Sequence, residues 1–208
     1  RSEIDALGTL FARLWGLTTP SLRPVLDVRY AKWQPDLYGL GVQRGLVFEQ
    51  LLSAAYAAGV EIVLNSAVAS GNAADPSIKL ENGDQISGMD LIVFAHGARS
   101  SLTPEDRGVD LPYGALWATL PWPEKSPFDK SALEQRYRAS HQMTGVMPSG
   151  RLAEVAPETL TYFWSIRADQ EASWRAASLD QWKQDAVALW PETEQLMPHF
   201  QSHDDLTF

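Results

Sequence analysis

Apolar residues recur at helical spacing in two stretches of the N-terminal half of the chain. The first stretch, 4–14, predicts a helix that stops before Gly16. The second, 44–58, predicts a longer helix that ends at Gly59, a residue type favoured just past a helix C-terminus.

Short runs of β-forming residues predict strands between and after these helices. Val25–Trp33 has a strand-like composition, and Val60–Leu64 follows Gly59 directly. Helix, glycine and strand in this order are typical of a parallel αβ unit. Asn82-Gly83 predicts a hairpin turn between two short strands. The run Leu91–Ala95 is apolar throughout, which predicts a strand buried on both faces of a parallel sheet.

The second half of the chain has a different pattern, dominated by strands and then by a helix. The predicted strands share aromatic and small residues and are separated by turn residues: Tyr113–Trp122, Gln135–Ala139, Gln142–Met147 and Leu160–Ile166. Ser178 is a favoured N-cap for a helix that runs to about residue 190. Trp182, Ala186 and Leu189 fall on one face of that helix, and Pro191 begins a further short helix or turn.

These elements predict an α/β (α+β) fold made of two interleaved parts. Residues 39–110 predict part of a parallel-sheet α/β domain, because helices and strands alternate there. Residues 111–208 predict a mixed or antiparallel sheet followed by helices. We expect residues 1–38 to contribute a helix and a strand to that second sheet.

Composition and charge exclude several functions. The formal net charge is −9, from 17 basic and 26 acidic residues, which disfavours a nucleic-acid-binding surface. The chain has no cysteine, which excludes disulfides, thiolate metal ligands and cysteine nucleophiles. The four histidines are scattered without the spacing of a metal site, so we expect no metal. No apolar run has the length of a membrane span, and we expect a cytoplasmic protein.

The most informative motif lies at the end of the predicted strand Leu91–Ala95. Ligands of parallel sheets bind beyond the carboxyl ends of the strands, where His96 and Gly97 lie. Ala95, Gly97, Arg99 and Ser100 resemble the "DG" fingerprint of the flavin-dependent aromatic hydroxylases of the para-hydroxybenzoate hydroxylase type. The family's aspartate is replaced by His96, which can donate hydrogen bonds where aspartate only accepts them. The family's later arginine has no counterpart in 101–104.

A second motif precedes the predicted helix 44–58. Gly41-Val42-Gln43-Arg44 resembles the family's segment with an arginine at a helix start. A helix N-terminus offers unpaired N–H groups and partial positive charge, and an arginine adds a fork suited to phosphate. The resemblance implies that Arg44, His96, Gly97 and Arg99 bind FAD.

The resemblance also implies a reaction and a substrate site. The family reduces FAD with NADH or NADPH, activates O2 on the flavin and hydroxylates a small aromatic substrate. Six aromatic and methionine residues on the predicted strands are candidates for the substrate cavity, although such residues are common in sheet cores. They are Trp117, Tyr137, Met143, Met147, Tyr162 and Trp164. The sequence singles out no catalytic acid or base, and it predicts neither the oligomeric state nor the substrate's identity.

Two family motifs are absent, and two alternatives stay open. The chain contains neither the GxGxxG that cradles the pyrophosphate nor the Gly-Asp segment that contacts the flavin. We therefore expect an internal piece of a longer protein that does not hold FAD tightly by itself. The alternatives are a flavoprotein of the same fold with other chemistry, such as a halogenase or a prenyl reductase, and a non-catalytic binding module.

Overall fold

A computed structural model describes residues 2–72, 76–97, 102, 111–153 and 155–208. The chain divides into two compact units, the larger formed by residues 1–54 and 111–208 and the smaller by residues 55–110. The α/β (α+β) class is confirmed, because the described residues form both helices and three separate sheets.

The N-terminal part of the chain contains two helices and four strands. In order they are α1 (Ser2–Leu7), β1 (Thr9–Phe11), β2 (Arg13–Thr18), β3 (Pro24–Arg29), a 3-10 turn (Tyr30–Lys32), β4 (Gly39–Gly41) and α2 (Arg44–Ala57). The predicted helix 44–58 is confirmed, and Gly59 ends it with a φ of +76°.

The remaining elements are mostly strands, with helices near the C-terminus. They are β5 (Val68–Asn72), β6 (Ser77–Leu80), β7 (Gln85–Ile86), β8 (Tyr113–Pro121), β9 (Ala132–Arg138), β10 (Gln142–Arg151), β11 (Glu158–Arg167), α3 (Glu171–Ala176) and α4 (Leu179–Leu189). Three 3-10 helices accompany α3 and α4: Ala168–Gln170, Pro191–His199 and His203–Asp205. The hairpin at Asn82-Gly83 and the four long strands of the second half are confirmed.

A six-stranded sheet of order β3-β2-β9-β10-β11-β8 dominates the larger unit. Its neighbouring strands are antiparallel except for β2 and β9, which are parallel, so the predicted mixed sheet is confirmed. As expected, residues 24–29 join this sheet through β3. The smaller unit contains the antiparallel sheet β5-β6-β7.

Helix α4 and the 3-10 helix Pro191–His199 cover one face of the six-stranded sheet and form the main core. Ser178 caps α4 as predicted, accepting a hydrogen bond from Gln181 N at 3.3 Å. The predicted face of α4 is buried. Trp182 packs edge-on against Tyr162 of β11 and against Phe200, with ring centroids 6.2 and 5.2 Å apart.

The predicted helix 4–14 is wrong beyond Leu7. Residues 9–11 form β1 and residues 13–18 form β2, because parallel pairing with β9 satisfies the backbone of β2 along its whole length. The spacing of the apolar residues fits both conformations, and the sheet partner decides between them.

The predicted strands Val60–Leu64 and Leu91–Ala95 are not formed. Neither segment pairs with another strand among the described residues, and Leu91 and Val93 are each 75% exposed rather than buried. A strand needs a neighbour for its N–H and C=O groups, and no described segment provides one here. An apolar run predicts a buried strand only where a neighbouring strand can pair with it.

Candidate functional site

The six-stranded sheet has two faces of different character, and strand register assigns each residue to one of them. Leu116, Thr144 and Trp164 lie side by side on the face that α4 covers, and all three are buried. The alternate residues form the other face, which we call the open face. It comprises Gln135, Tyr137, Met143, Gly145, Met147, Thr161, Phe163, Ser165, Ala115, Trp117 and Thr119.

Two glycines allow aromatic rings to lie against the strands on this side of the sheet. A β-carbon on Gly145 would overlap the ring of Phe163, its partner on β11. A β-carbon on Gly16 would come within 2.5 Å of the ring of Tyr137. The absence of side chains at these positions therefore makes room for a flat aromatic surface in the middle of the sheet.

Hydrogen-bonding groups without charge lie on either side of this aromatic surface. The Tyr137 hydroxyl donates to Gln135 Oε1 at 2.6 Å, and Gln135 Nε2 faces the Met143 sulfur at 3.8 Å. Further along β10, the hydroxyls of Ser149 and Thr161 are 2.6 Å apart. Burial raises the pKa of Tyr137, so its hydroxyl keeps its proton at neutral pH.

A shallow cavity of about 210 Å³ opens beside the Tyr137 end of the open face. Tyr113, Tyr137, Met143 and Ser165 contribute to its lining. Its size suits one substituent or a small ring, because whole ligand sites are typically about 300–1,000 Å³.

Strand register separates the six predicted substrate residues into two groups. Trp117, Tyr137, Met143 and Met147 lie together on the open face, where Trp117 is 42% exposed. Tyr162 and Trp164 lie on the opposite, helix-covered face.

Tyr162 and Trp164 accordingly have the environment of core residues. Tyr162 is fully buried against Trp182 and Phe200, and burial raises the pKa of its hydroxyl far above the usual range. Trp164 packs edge-on to Trp182 at 6.2 Å. The six residues thus do not share one surface, since successive side chains of a strand point to opposite faces.

Among the members of the open face that sequence reasoning missed are Phe163, Gln135 and Gly145. The signal that identifies Phe163 is its alternation with Tyr162 and Trp164: once these two are assigned to the core, Phe163 must point the other way. Gly145 lies directly opposite Phe163 and Gln135 in the register, which only the structure reveals.

The start of helix α2 is fixed to one end of the same sheet. Gln43 Nε2 donates to the Ser149 carbonyl oxygen and to Thr159 Oγ1, both at 3.3 Å. Gly41 approaches β10 so closely that a β-carbon would overlap the Pro148 carbonyl oxygen. The exposed Arg44 therefore begins its helix beside the Ser149–Thr161 end of the open face.

His96 and Gly97 belong to the smaller unit and follow an exposed segment. Gly97 has a φ of +79°, and a β-carbon there would meet nothing within 4 Å, so its backbone is open to close approach by a ligand. The His96 ring lies edge-on to Phe94 at 5.7 Å. Arg99 lies outside the described residues. The hypothesis that these residues and Arg44 bind one FAD stays a prediction.

The described residues fit parts of such a cofactor. Arg44 at a helix N-terminus suits a phosphate or another anion, and Gly97 suits a flat or bulky group passing close to the backbone. Among the described residues, no group of three or more His, Asp or Glu side chains is placed to hold a metal ion.

Comparison with solved structures identifies proteins whose fold is similar to that of this chain. A crystal structure of Pseudomonas aeruginosa PqsL with 2-aminobenzoylacetate superposes with a TM-score of 0.75 at 11% identity, over 99% of this chain and 56% of that one. Another, described as a probable FAD-dependent monooxygenase, gives a TM-score of 0.71 at 12% identity, over 99% and 57%. The chain shares the fold of the part of PqsL that it covers. It spans little more than half the length of these PqsL chains.

Sequence comparison adds no family assignment. No family model matches the sequence, and no curated protein matches it significantly. Among the helices of the described residues, none is long and apolar enough to cross a membrane.

Proposed function

We propose that this chain forms part of an FAD-dependent, NAD(P)H-using monooxygenase that hydroxylates a small aromatic substrate. The observation that carries the proposal is the superposition of 99% of the chain on PqsL, a probable FAD-dependent monooxygenase, with a TM-score of up to 0.75. One of the PqsL structures holds a small aromatic ligand, 2-aminobenzoylacetate. The aromatic open face of the sheet is consistent with a ligand of that class.

In this proposal the open face is the floor of the substrate cavity. Trp117, Phe163 and the two methionines contact the substrate ring and exclude water from it, while Gln135 and Tyr137 orient its polar substituents. Such contacts fix the position of the ring relative to the cofactor.

The cofactor-binding residues in this proposal are Arg44, His96, Gly97 and Arg99. Bound FAD would supply the transfer of electrons from NAD(P)H and the activation of O2. Arg44 would hold an anionic group of FAD at the start of α2, and Gly97 would allow its close approach. This role explains why no acid–base pair is needed on the sheet.

The test is NAD(P)H oxidation by the complete protein that contains this chain, loaded with FAD. We expect a panel of phenols and aromatic acids or amides to include compounds that accelerate the oxidation. Trp117→Ala should weaken that stimulation about tenfold, equivalent to about 1.4 kcal/mol, because an aromatic contact is lost.

Trp33→Ala is the matched control, since Trp33 is also exposed but lies outside the sheet. It should leave the stimulation unchanged. Absence of stimulation across the whole panel, or failure of the complete protein to retain FAD, would refute the proposed activity and favour a non-catalytic binding module.

A further inference from the structure

Charge is unevenly distributed between the two faces of the six-stranded sheet. On β9, Glu134 and Arg136 point to the helix-covered face, because they pair in register with Val146 and Thr144 of the core. Both are partnered there: Glu134 accepts hydrogen bonds from Asp129 N at 2.9 Å and Trp15 Nε1 at 3.3 Å. The Arg136 guanidinium lies 4.4 Å from the centre of the Trp190 ring.

The remaining charges of strands β8 to β11 lie at strand ends. Arg138 ends β9 on the helix-covered side. Arg151 and Glu158 form an ion pair of 3.8 Å at the rim, beyond the irregularity in β10. Arg167 ends β11 on the open-face side, beside Tyr113, and is bound to Asp169 by two hydrogen bonds of 2.9 and 2.6 Å.

Between its ends, the open face as described therefore contains no charged side chain, and the one guanidinium at its β11 end, that of Arg167, is already paired with Asp169. Its polar groups are the amide of Gln135 and the hydroxyls of Tyr137, Thr161, Thr119 and Ser165. A carboxylate placed against the middle of this surface, between the ends where Arg44 and Arg167 lie, would lose hydration without gaining a cationic partner, which is costly. A neutral hydroxyl, carbonyl or amide would exchange its water for these groups at little cost.

We infer that the part of the ligand resting on the open face is an uncharged, flat aromatic group that carries hydroxyl, carbonyl or amide substituents and no carboxylate. The inference rests on the proposed function, since it takes the open face as the floor of the substrate cavity. It narrows the substrate class from aromatic compounds in general to those that are neutral where they meet the sheet.

The experiment compares ligands of the same shape that differ in charge. Dissociation constants of 4-hydroxybenzamide and 4-hydroxybenzoate, and of 2-aminobenzamide and 2-aminobenzoate, are measured by calorimetry with the FAD-loaded complete protein. We expect each amide to bind at least tenfold more tightly than its carboxylate.

A second arm introduces the missing charge. Met147→Arg, or Thr119→Arg two strands away in the same cross-strand row, should reverse the preference towards the carboxylates. Val28→Arg adds the same charge on β3, three strands and about 14 Å from β10, and should leave the preference unchanged. Thermal unfolding of each variant identifies any that does not fold.

Tighter or equal binding of the carboxylates by the unaltered protein would overturn the inference, and so would failure of both members of each pair to bind. Both of these results concern ligand binding and do not test the FAD-dependent reaction. Retention of FAD with substrate-stimulated NAD(P)H oxidation would keep the proposed function in place if the inference fails. A clear amide preference in a protein without FAD-dependent activity would support the inference about the ligand and refute the proposed function.

Discussion

Single glycines impose the tightest steric constraints on the candidate site. Gly41 is buried where the chain crosses β10 before helix α2, and a β-carbon there would overlap the Pro148 carbonyl oxygen. Gly45, at the start of the helix, has nothing within 4 Å of the corresponding position. The same substitution should therefore have opposite effects at two residues of one short segment.

We predict that Gly41→Ala lowers the free energy of unfolding by about 2–3 kcal/mol, because the methyl group must displace backbone rather than a mobile side chain. Gly45→Ala should leave it unchanged or raise it by up to about 1 kcal/mol, since alanine favours the helix. Urea unfolding of both variants measures the difference. Equal effects would mean that residues 41–44 do not approach β10 as described.

Asp205 links the stability of the C-terminal turn to pH. Its carboxylate accepts hydrogen bonds from Gln201 N at 2.6 Å and Ser202 N at 2.8 Å, which hold the pKa of Asp205 below its usual 3.8. A folded-state pKa below the unfolded value adds stability above the unfolded pKa, and this stability is lost as the pH falls through the folded pKa.

We predict that Asp205→Asn destabilises the protein near neutral pH and that the difference from the unaltered protein shrinks at about pH 3 and below. Urea midpoints measured across this pH range test the prediction. Asp204→Asn is the control, since the Asp204 carboxylate makes only a 3.5 Å contact with Arg175 among the described residues. A difference for Asp205→Asn that is independent of pH would contradict it.

At the scale of elements, helix α4 and the long strands could be predicted from the sequence because their signals are local. Ser178 caps α4, and Trp182 and Leu189 mark its buried face. Strand β2 could not be predicted, since its partner β9 is distant in sequence. The sequence also could not assign Tyr162 to the helix-covered face, because the face of a strand residue depends on register with neighbouring strands.

At the scale of the whole molecule, the two units differ in how completely their backbones are hydrogen-bonded. The larger unit contains the six-stranded sheet, whereas segments 61–64 and 91–95 of the smaller unit make no backbone–backbone hydrogen bond to the other described residues. Four of the six residues predicted to contact a substrate share the open face, and their role, like that of the predicted cofactor residues, stays a prediction.

We predict that amide hydrogens of segments 61–64 and 91–95 exchange with solvent much faster than those of β10 and β11, because only the strand amides are held by neighbouring strands. Hydrogen exchange of the isolated chain, followed by mass spectrometry, measures both sets. Equal protection would show that these segments are paired in solution, as the sequence pattern suggested.

The glycines beneath the aromatic rings of the sheet have a consequence for how this protein can evolve. Because the Phe163 ring occupies the space of a Gly145 side chain, neither position can change freely alone. Gly16 and Tyr137 are constrained in the same way. Among natural variants, a side chain at either glycine should occur where the partner ring has been replaced by a smaller residue. Under the proposed function, a change of substrate range would then arise through paired substitutions that alter the shape of the open face.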